Sequence, residues 1–217
     1  MSSAQALERL REAKVVAVLR ADAPEDAVNA SLALAEAGVR AVELTFTTPG
    51  ADVALREARE RLPAGVLLGA GTIRTPEQLQ GSVDAGADFL VTPHLDPALL
   101  EEMLATGLLA VPGVFTPSEV GVALHAGAGV VKLFPAATGG LAHLKALRGP
   151  FPELQVIPTG GVGAAGVPSW LKAGAVAVGA GSELCPPAMV RTGDWRAVRE
   201  AAAGFLAEAG LEPAVTD

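Results

Sequence analysis

Residues 125–135 read HAGAGVVKLFP, and two features of that stretch decide how the rest of the chain is read. Gly127 falls where an alanine-rich helical segment gives way to a short apolar run, the position at which glycine accepts the left-handed backbone that closes a helix. The run that follows, Val130 to Phe134, is apolar on both faces apart from one lysine, which suits a parallel strand covered by helices. The same joint recurs at Ala37-Gly38 before VRAVELT, at Ala85-Gly86 before ADFLVTP, at Thr106-Gly107 before LLAVPG and at Ala173-Gly174 before AVAVGAG. Successive joints lie about 20 residues apart, or about twice that where a joint of other composition, such as Pro63-Ala64-Gly65, intervenes. That spacing is the length of one βα unit.

Apolar strand-like runs number eight, at 15–19, 40–45, 66–70, 88–92, 108–112, 129–134, 155–159 and 175–179. Helical segments with acidic or proline starts separate them, as at Pro24-Glu25-Asp26, Pro76-Glu77 and Pro117-Ser118-Glu119. Eight such units predict an α/β chain folded as a single (β/α)8 barrel, with a doubly wound open sheet as the rival architecture. No linker or low-complexity tail breaks the pattern, so residues 1–217 are expected to form one domain, with an extra N-terminal helix over 1–13 capping the barrel bottom.

Half of the 217 residues are hydrophobic and only 18% are charged, which permits a large core and excludes disorder. The net charge is −8 with the basic residues scattered, so no positive face offers itself to nucleic acid or an anionic bilayer. Glycine and proline interrupt every long apolar stretch, and Glu8, Arg9 and Arg11 do not suit a secretory leader. A cytoplasmic protein without a membrane role is expected. One cysteine, Cys185, allows no internal disulfide, and the histidines at 94, 125 and 143 lie too far apart for a local metal motif.

Alternate residues of a barrel strand point inward, and reacting groups project from the strands' carboxyl ends. Lys132 then shares a face with Val130 and Phe134, and Glu43 shares one with Ala41 and Thr45. A lysine in such a strand is costly to keep charged, and the neutral amine that burial favours is a nucleophile toward carbonyl carbon. The other lysines, Lys14, Lys145 and Lys172, lie outside the strands. Lys132 is therefore the candidate for an imine with a carbonyl substrate, and Glu43 for the general acid and base that imine chemistry needs. A structural ion pair between the two is the competing reading, and both assignments stand or fall together.

Two glycine loops, PTGGVG at 158–163 and GAGSEL at 179–184, follow the seventh and eighth runs. Backbone N–H groups at these places suit phosphate, with Gly160, Gly161, Gly181 and the Ser182 hydroxyl as the candidate contacts. Tight turns are the alternative use of the same glycines. Among strand-end groups, Arg20 suits a carboxylate and Thr72 a supporting hydroxyl, although a surface charge would explain Arg20 equally.

Taken in order, VELT at 42–45, GAGT at 69–72, VTP at 91–93, VPGVFTPSE at 111–119, KLFPA at 132–136, PTGG at 158–161 and GS at 181–182 resemble the 2-keto-3-deoxy-6-phosphogluconate (KDPG) aldolase family, also described as 4-hydroxy-2-oxoglutarate aldolase. The likeness spans about residues 10–205. It implies a class I aldolase on a (β/α)8 barrel, usually a homotrimer, that uses no cofactor and no metal and releases pyruvate through a lysine imine. By matching motif, Lys132 is the imine lysine and Glu43 the acid/base. Thr72 matches a contact to the pyruvate carboxylate, Pro93 and Phe134 match cavity walls, Thr159 lies near the substrate hydroxyls, and Gly160, Gly161 and Ser182 match phosphate contacts.

Some positions depart from the family pattern. Thr47 stands where many members carry arginine, which leaves Arg20 to take more of the carboxylate binding. His94 replaces a frequent glycine, and Glu183 stands beside the phosphate serine where a large aromatic can occur. These changes leave the galactonate epimer and unphosphorylated 4-hydroxy-2-oxoglutarate as alternative substrates. A phosphate-binding isomerase or synthase without an imine is the rival chemistry.

Overall fold

All five helix-to-strand joints read from the sequence place their glycine in the left-handed region, with φ between 76° at Gly107 and 100° at Gly127. The computed structural model describes residues 1–211; the final stretch of the expected 1–217 domain, 212–217, lies outside them. Helix α1 (Ser3–Ala13) leads into β1 (Val15–Leu19), α2 (Pro24–Glu36), β2 (Ala41–Thr45), α3 (Ala51–Arg61), β3 (Leu67–Gly71), α4 (Pro76–Asp84), β4 (Phe89–Val91), α5 (Pro97–Ala105) and β5 (Leu109–Val111). The chain continues through β6 (Gly113–Val114), α6 (Pro117–Ala126), β7 (Val131–Leu133), α7 (Ala136–Arg148), β8 (Val156–Pro158), α8 (Val167–Lys172), β9 (Val178–Ala180), α9 (Pro187–Arg191) and α10 (Trp195–Glu208). Proline opens α2, α4, α5, α6 and α9, where its missing N–H would have had no partner in any case.

The strands form a six-stranded parallel sheet, ordered β5-β4-β3-β2-β1-β9, and a three-stranded parallel sheet, β6-β7-β8. The eight expected runs thus become nine strand segments among the described residues, because a further short strand, β6, follows the fifth run just beyond Pro112. Proline has no N–H to give to a ladder. Beyond it the Gly113 N–H donates 3.1 Å to the Thr92 hydroxyl, and the Pro112 carbonyl accepts 2.8 Å from the Lys132 N–H. The two sheets therefore meet through one residue at Pro112, and through one bridge, Thr159 to Gly179, at the other end.

Burial divides into two clusters. The larger lies between strands and helices and contains residues such as Val42, Leu44, Leu68, Leu90 and Val131. The smaller uses the opposite strand face: Val16, Ala41, Leu67, Phe89, Leu109, Val130, Ile157 and Ala177 meet one another and Ala6 and Leu10 of α1. Helix α1 is fixed at its start by a Ser2/Gln5 capping box. Fully burying the Leu10 side chain contributes about 1.5–3 kcal/mol. Among the described residues no helix is long and apolar enough to cross a membrane.

Candidate active site

Glu43, in the middle of β2, and Lys132, in the middle of β7, continue the inward faces that begin at Ala41 and Val130. Their side chains meet, with Lys132 Nζ 3.3 Å from Glu43 Oε1. Only 4% of Lys132 and 3% of Glu43 is exposed, so each charge is compensated chiefly by the other. The Lys132 ammonium also lies 5.6 Å from the centroid of the Phe134 ring.

Strand β3 makes the room for this pair. Gly69 pairs with Glu43 and Gly71 with Thr45 across the β2–β3 ladder. A methyl group at Gly69 would run into the Phe89 ring, and one at Gly71 would stand 2.5 Å from Glu43 Cγ and Cδ. Gly71 is therefore a steric requirement of the carboxylate's position, and Gly69 a steric requirement of the Phe89 ring's. Two glycines at alternate positions of one strand were the available signal for it.

Lys132 forms part of the wall of a cavity of about 530 Å³ at the carboxyl ends of the strands. Every substrate-binding candidate from the sequence lines it: Arg20, Thr72, Pro93, Phe134, Thr159, Gly160, Gly161, Gly181 and Ser182. Glu43 stands behind Lys132 and is not itself a lining residue. Val18 and Pro187, which carried no sequence signal of their own, also line the cavity, as do Gly163 of the first glycine loop and Cys185. Burial pushes the Cys185 thiol up to about 12, so it stays protonated and unreactive at neutral pH.

Thr72 holds φ at 57°, an uncommon backbone for a β-branched residue, at a cost of about 1–3 kcal/mol. Gly160 and Gly161 hold φ at 92° and 74°, and methyl groups there would approach Phe134 to 2.9 Å and Ala137 to 2.5 Å. The loop is clamped to α7 by the Ala136 and Ala137 N–H groups, which donate to the Thr159 and Gly160 carbonyls at 2.8 and 2.9 Å.

Other strand-end residues take structural tasks. The Thr45 hydroxyl donates to the Leu19 carbonyl at 3.0 Å and pairs with the exposed Thr47 hydroxyl at 2.7 Å. Thr92 ties β4 to the start of β6, and His94 is exposed. His143 stacks on Phe115 with ring centroids 4.5 Å apart. No three His, Cys, Asp or Glu side chains cluster in a metal-holding arrangement among the described residues.

A buried amine in a cavity wall, touching a carboxylate, is equipped for attack on a ketone with proton transfer close by. The family profile described as aldolase, KDPG and KHG aldolase, matches residues 7–201. The chain is 36% identical over 201 residues to a 2-dehydro-3-deoxy-phosphogluconate aldolase of Haemophilus influenzae, covering 90% of this chain and 94% of that protein. It is 35% identical over 197 residues to a probable 2-dehydro-3-deoxy-6-phosphogalactonate aldolase of Rhizobium meliloti, covering 90% and 91%. The crystal structure of the Legionella pneumophila KDPG aldolase, with pyruvate captured at low pH as a covalent carbinolamine intermediate, superposes with a TM-score of 0.85 at 32% identity, over 93% of this chain and 98% of that one.

Proposed function

Because the chain belongs to the KDPG and KHG aldolase family, we infer that it is a class I pyruvate aldolase that cleaves KDPG to pyruvate and glyceraldehyde 3-phosphate, and 4-hydroxy-2-oxoglutarate to pyruvate and glyoxylate. The observation that carries this reading is Lys132 Nζ, buried in the cavity wall 3.3 Å from Glu43 Oε1. Proton transfer from the ammonium to the carboxylate leaves a neutral amine, which attacks the C2 ketone to form a carbinolamine. Glu43 returns that proton to the carbinolamine hydroxyl, which leaves as water and gives the protonated imine, with Glu43 again a carboxylate. Glu43 then accepts the C4 hydroxyl proton, directly or through water, as the C3–C4 bond breaks and its electron pair moves into the enamine. Protonation at C3 and hydrolysis release pyruvate and regenerate Lys132. The imine is the electron sink, so these steps need neither metal nor cofactor.

Arg20 and Thr72 hold the substrate carboxylate. Arg20 takes the larger share, since Thr47 has no charge to offer and its hydroxyl is engaged by Thr45. Pro93 and Phe134 wall the pyruvate half, Thr159 faces the hydroxyls, and the N–H groups of Gly160, Gly161 and Gly181 with the Ser182 hydroxyl receive the far end. The Pro112 junction and the Thr159–Gly179 bridge support reading the two sheets as one (β/α)8 barrel within a single domain, with α1 across its bottom. A homotrimer in the cytoplasm completes the assignment.

Borohydride reduction in the presence of pyruvate tests the chemistry. One reduced pyruvyl group on a peptide containing Lys132, lost in Lys132→Ala together with turnover in a lactate dehydrogenase-coupled assay, is expected; an unmodified protein mass overturns it. The relative from Rhizobium meliloti favours a second reading, the C4 epimer derived from galactonate. Cleavage rates for the two epimers separate them.

A further inference from the structure

Glu183 has no part in the imine chemistry, yet its side chain lines the same cavity, between Ser182 and the loop that follows β8. A methyl group at Gly163 would stand 3.1 Å from both Glu183 Cδ and Oε1, and closer still to Oε2, so the carboxylate lies against the glycine loop and not away from it. The six ion pairs among the described residues leave Glu183 out. Of the lining residues only Arg20 and Lys132 are basic, and Lys132 is matched by Glu43. The cavity end bounded by residues 159–163 and 181–187 therefore offers N–H groups and a hydroxyl, but its one charged side chain is negative.

A phosphate monoester carries about 1.5–2 negative charges at neutral pH. Seated on the glycine N–H groups it would lie beside this unpaired carboxylate, and like charges so placed discriminate by repulsion. An uncharged hydroxyl at the same point meets no such repulsion and finds in Glu183 a hydrogen-bond acceptor. We propose that Glu183 is a specificity-determining residue that lowers the advantage of a phosphorylated substrate and admits an aldehyde half ending in an uncharged hydroxyl. The proposal rests on the aldolase reading, and it concerns the end of the substrate remote from the imine.

The test compares KDPG with 2-keto-3-deoxygluconate, which differs only in lacking the phosphate, in the wild type, Glu183→Gln and Glu183→Ala. The ratio of kcat/KM values, phosphorylated over unphosphorylated, rises about tenfold in both variants, a change equivalent to about 1.4 kcal/mol. The gain appears in the KM for KDPG, and inorganic phosphate inhibits both variants at lower concentration than the wild type. Pyruvate trapping on Lys132 is measured in parallel. Trapping and cleavage with an unmoved or falling ratio overturn the role of Glu183 alone, whereas a wild type that neither traps pyruvate nor cleaves either keto acid overturns the aldolase reading and this proposal with it.

Discussion

Gly71→Ala isolates the placement of Glu43 without changing any group that titrates. Gly71 lies in ordinary strand backbone within β3, so alanine meets no conformational penalty there. Its new methyl group would stand 2.5 Å from Glu43 Cγ and Cδ, against an ordinary carbon contact of about 3.5 Å, so the carboxylate must retreat by about 1 Å. Misplacement of that size costs about 100-fold in rate, within the range that a positioned acid/base contributes. The expected result in the coupled assay is a kcat lower by about that factor, with unchanged far-ultraviolet circular dichroism and slower borohydride trapping. Gly65→Ala is the control, since a methyl group there meets nothing within 4 Å. A folded Gly71→Ala protein with wild-type kcat would refute the reasoning, because the position of Glu43 would then not matter to the reaction.

Leu10→Ala removes the side chain that α1 inserts among the inward strand residues, and urea unfolding should register a loss of about 2–5 kcal/mol; a loss below 1 kcal/mol would mean that α1 is not needed to close this end. Partial burial pushes the Glu119 carboxyl up, but it is outweighed by hydrogen bonds from the Thr116 and Phe115 N–H groups and the Thr116 hydroxyl, which leave it below its ordinary value of 4.5. A depressed carboxyl stabilises above its unfolded value and loses that contribution as pH falls through the folded one. Unfolding free energies from urea titration should therefore separate wild type from Glu119→Ala by about 0.5–1 kcal/mol at pH 7 and converge in acid below pH 4.5. A gap that widens on acidification contradicts this sign. Cys185, pushed up to about 12, should react with maleimide at pH 7 far more slowly in the native protein than in urea; equal rates would show that the thiol is neither buried nor suppressed.

Much of this site is written in local chemistry. Glycines at helix ends and the length of the apolar runs marked the βα units, because the left-handed cap and the buried strand are properties of a few consecutive residues. A lysine and a glutamate interrupting two such runs were conspicuous because burying an unpartnered charge is costly. Arg20, Thr72, Pro93 and the glycine loops were legible as strand-end groups, Phe134 as a wall position only through the family resemblance, and all of them line one cavity. The short strand β6 beyond the fifth run, past Pro112, was less visible. A proline at a strand end looks the same whether the ladder stops there or resumes one residue later through Thr92.

The amino-acid order by itself determined the periodicity of the units, the inward face of each strand and the kinds of group available for chemistry. It did not determine that Lys132 and Glu43, 89 positions apart, meet at 3.3 Å. That depends on the register of β2 against β3, on the space left by Gly71, and on where β7 lies relative to that face. Nor did it determine that Glu183 lies over Gly163, since the direction of a loop side chain is set by what the neighbouring loop leaves open. Backbone propensity acts between near neighbours along the chain, whereas a reactive contact is the sum of many distant packing constraints, and only the folded molecule evaluates that sum.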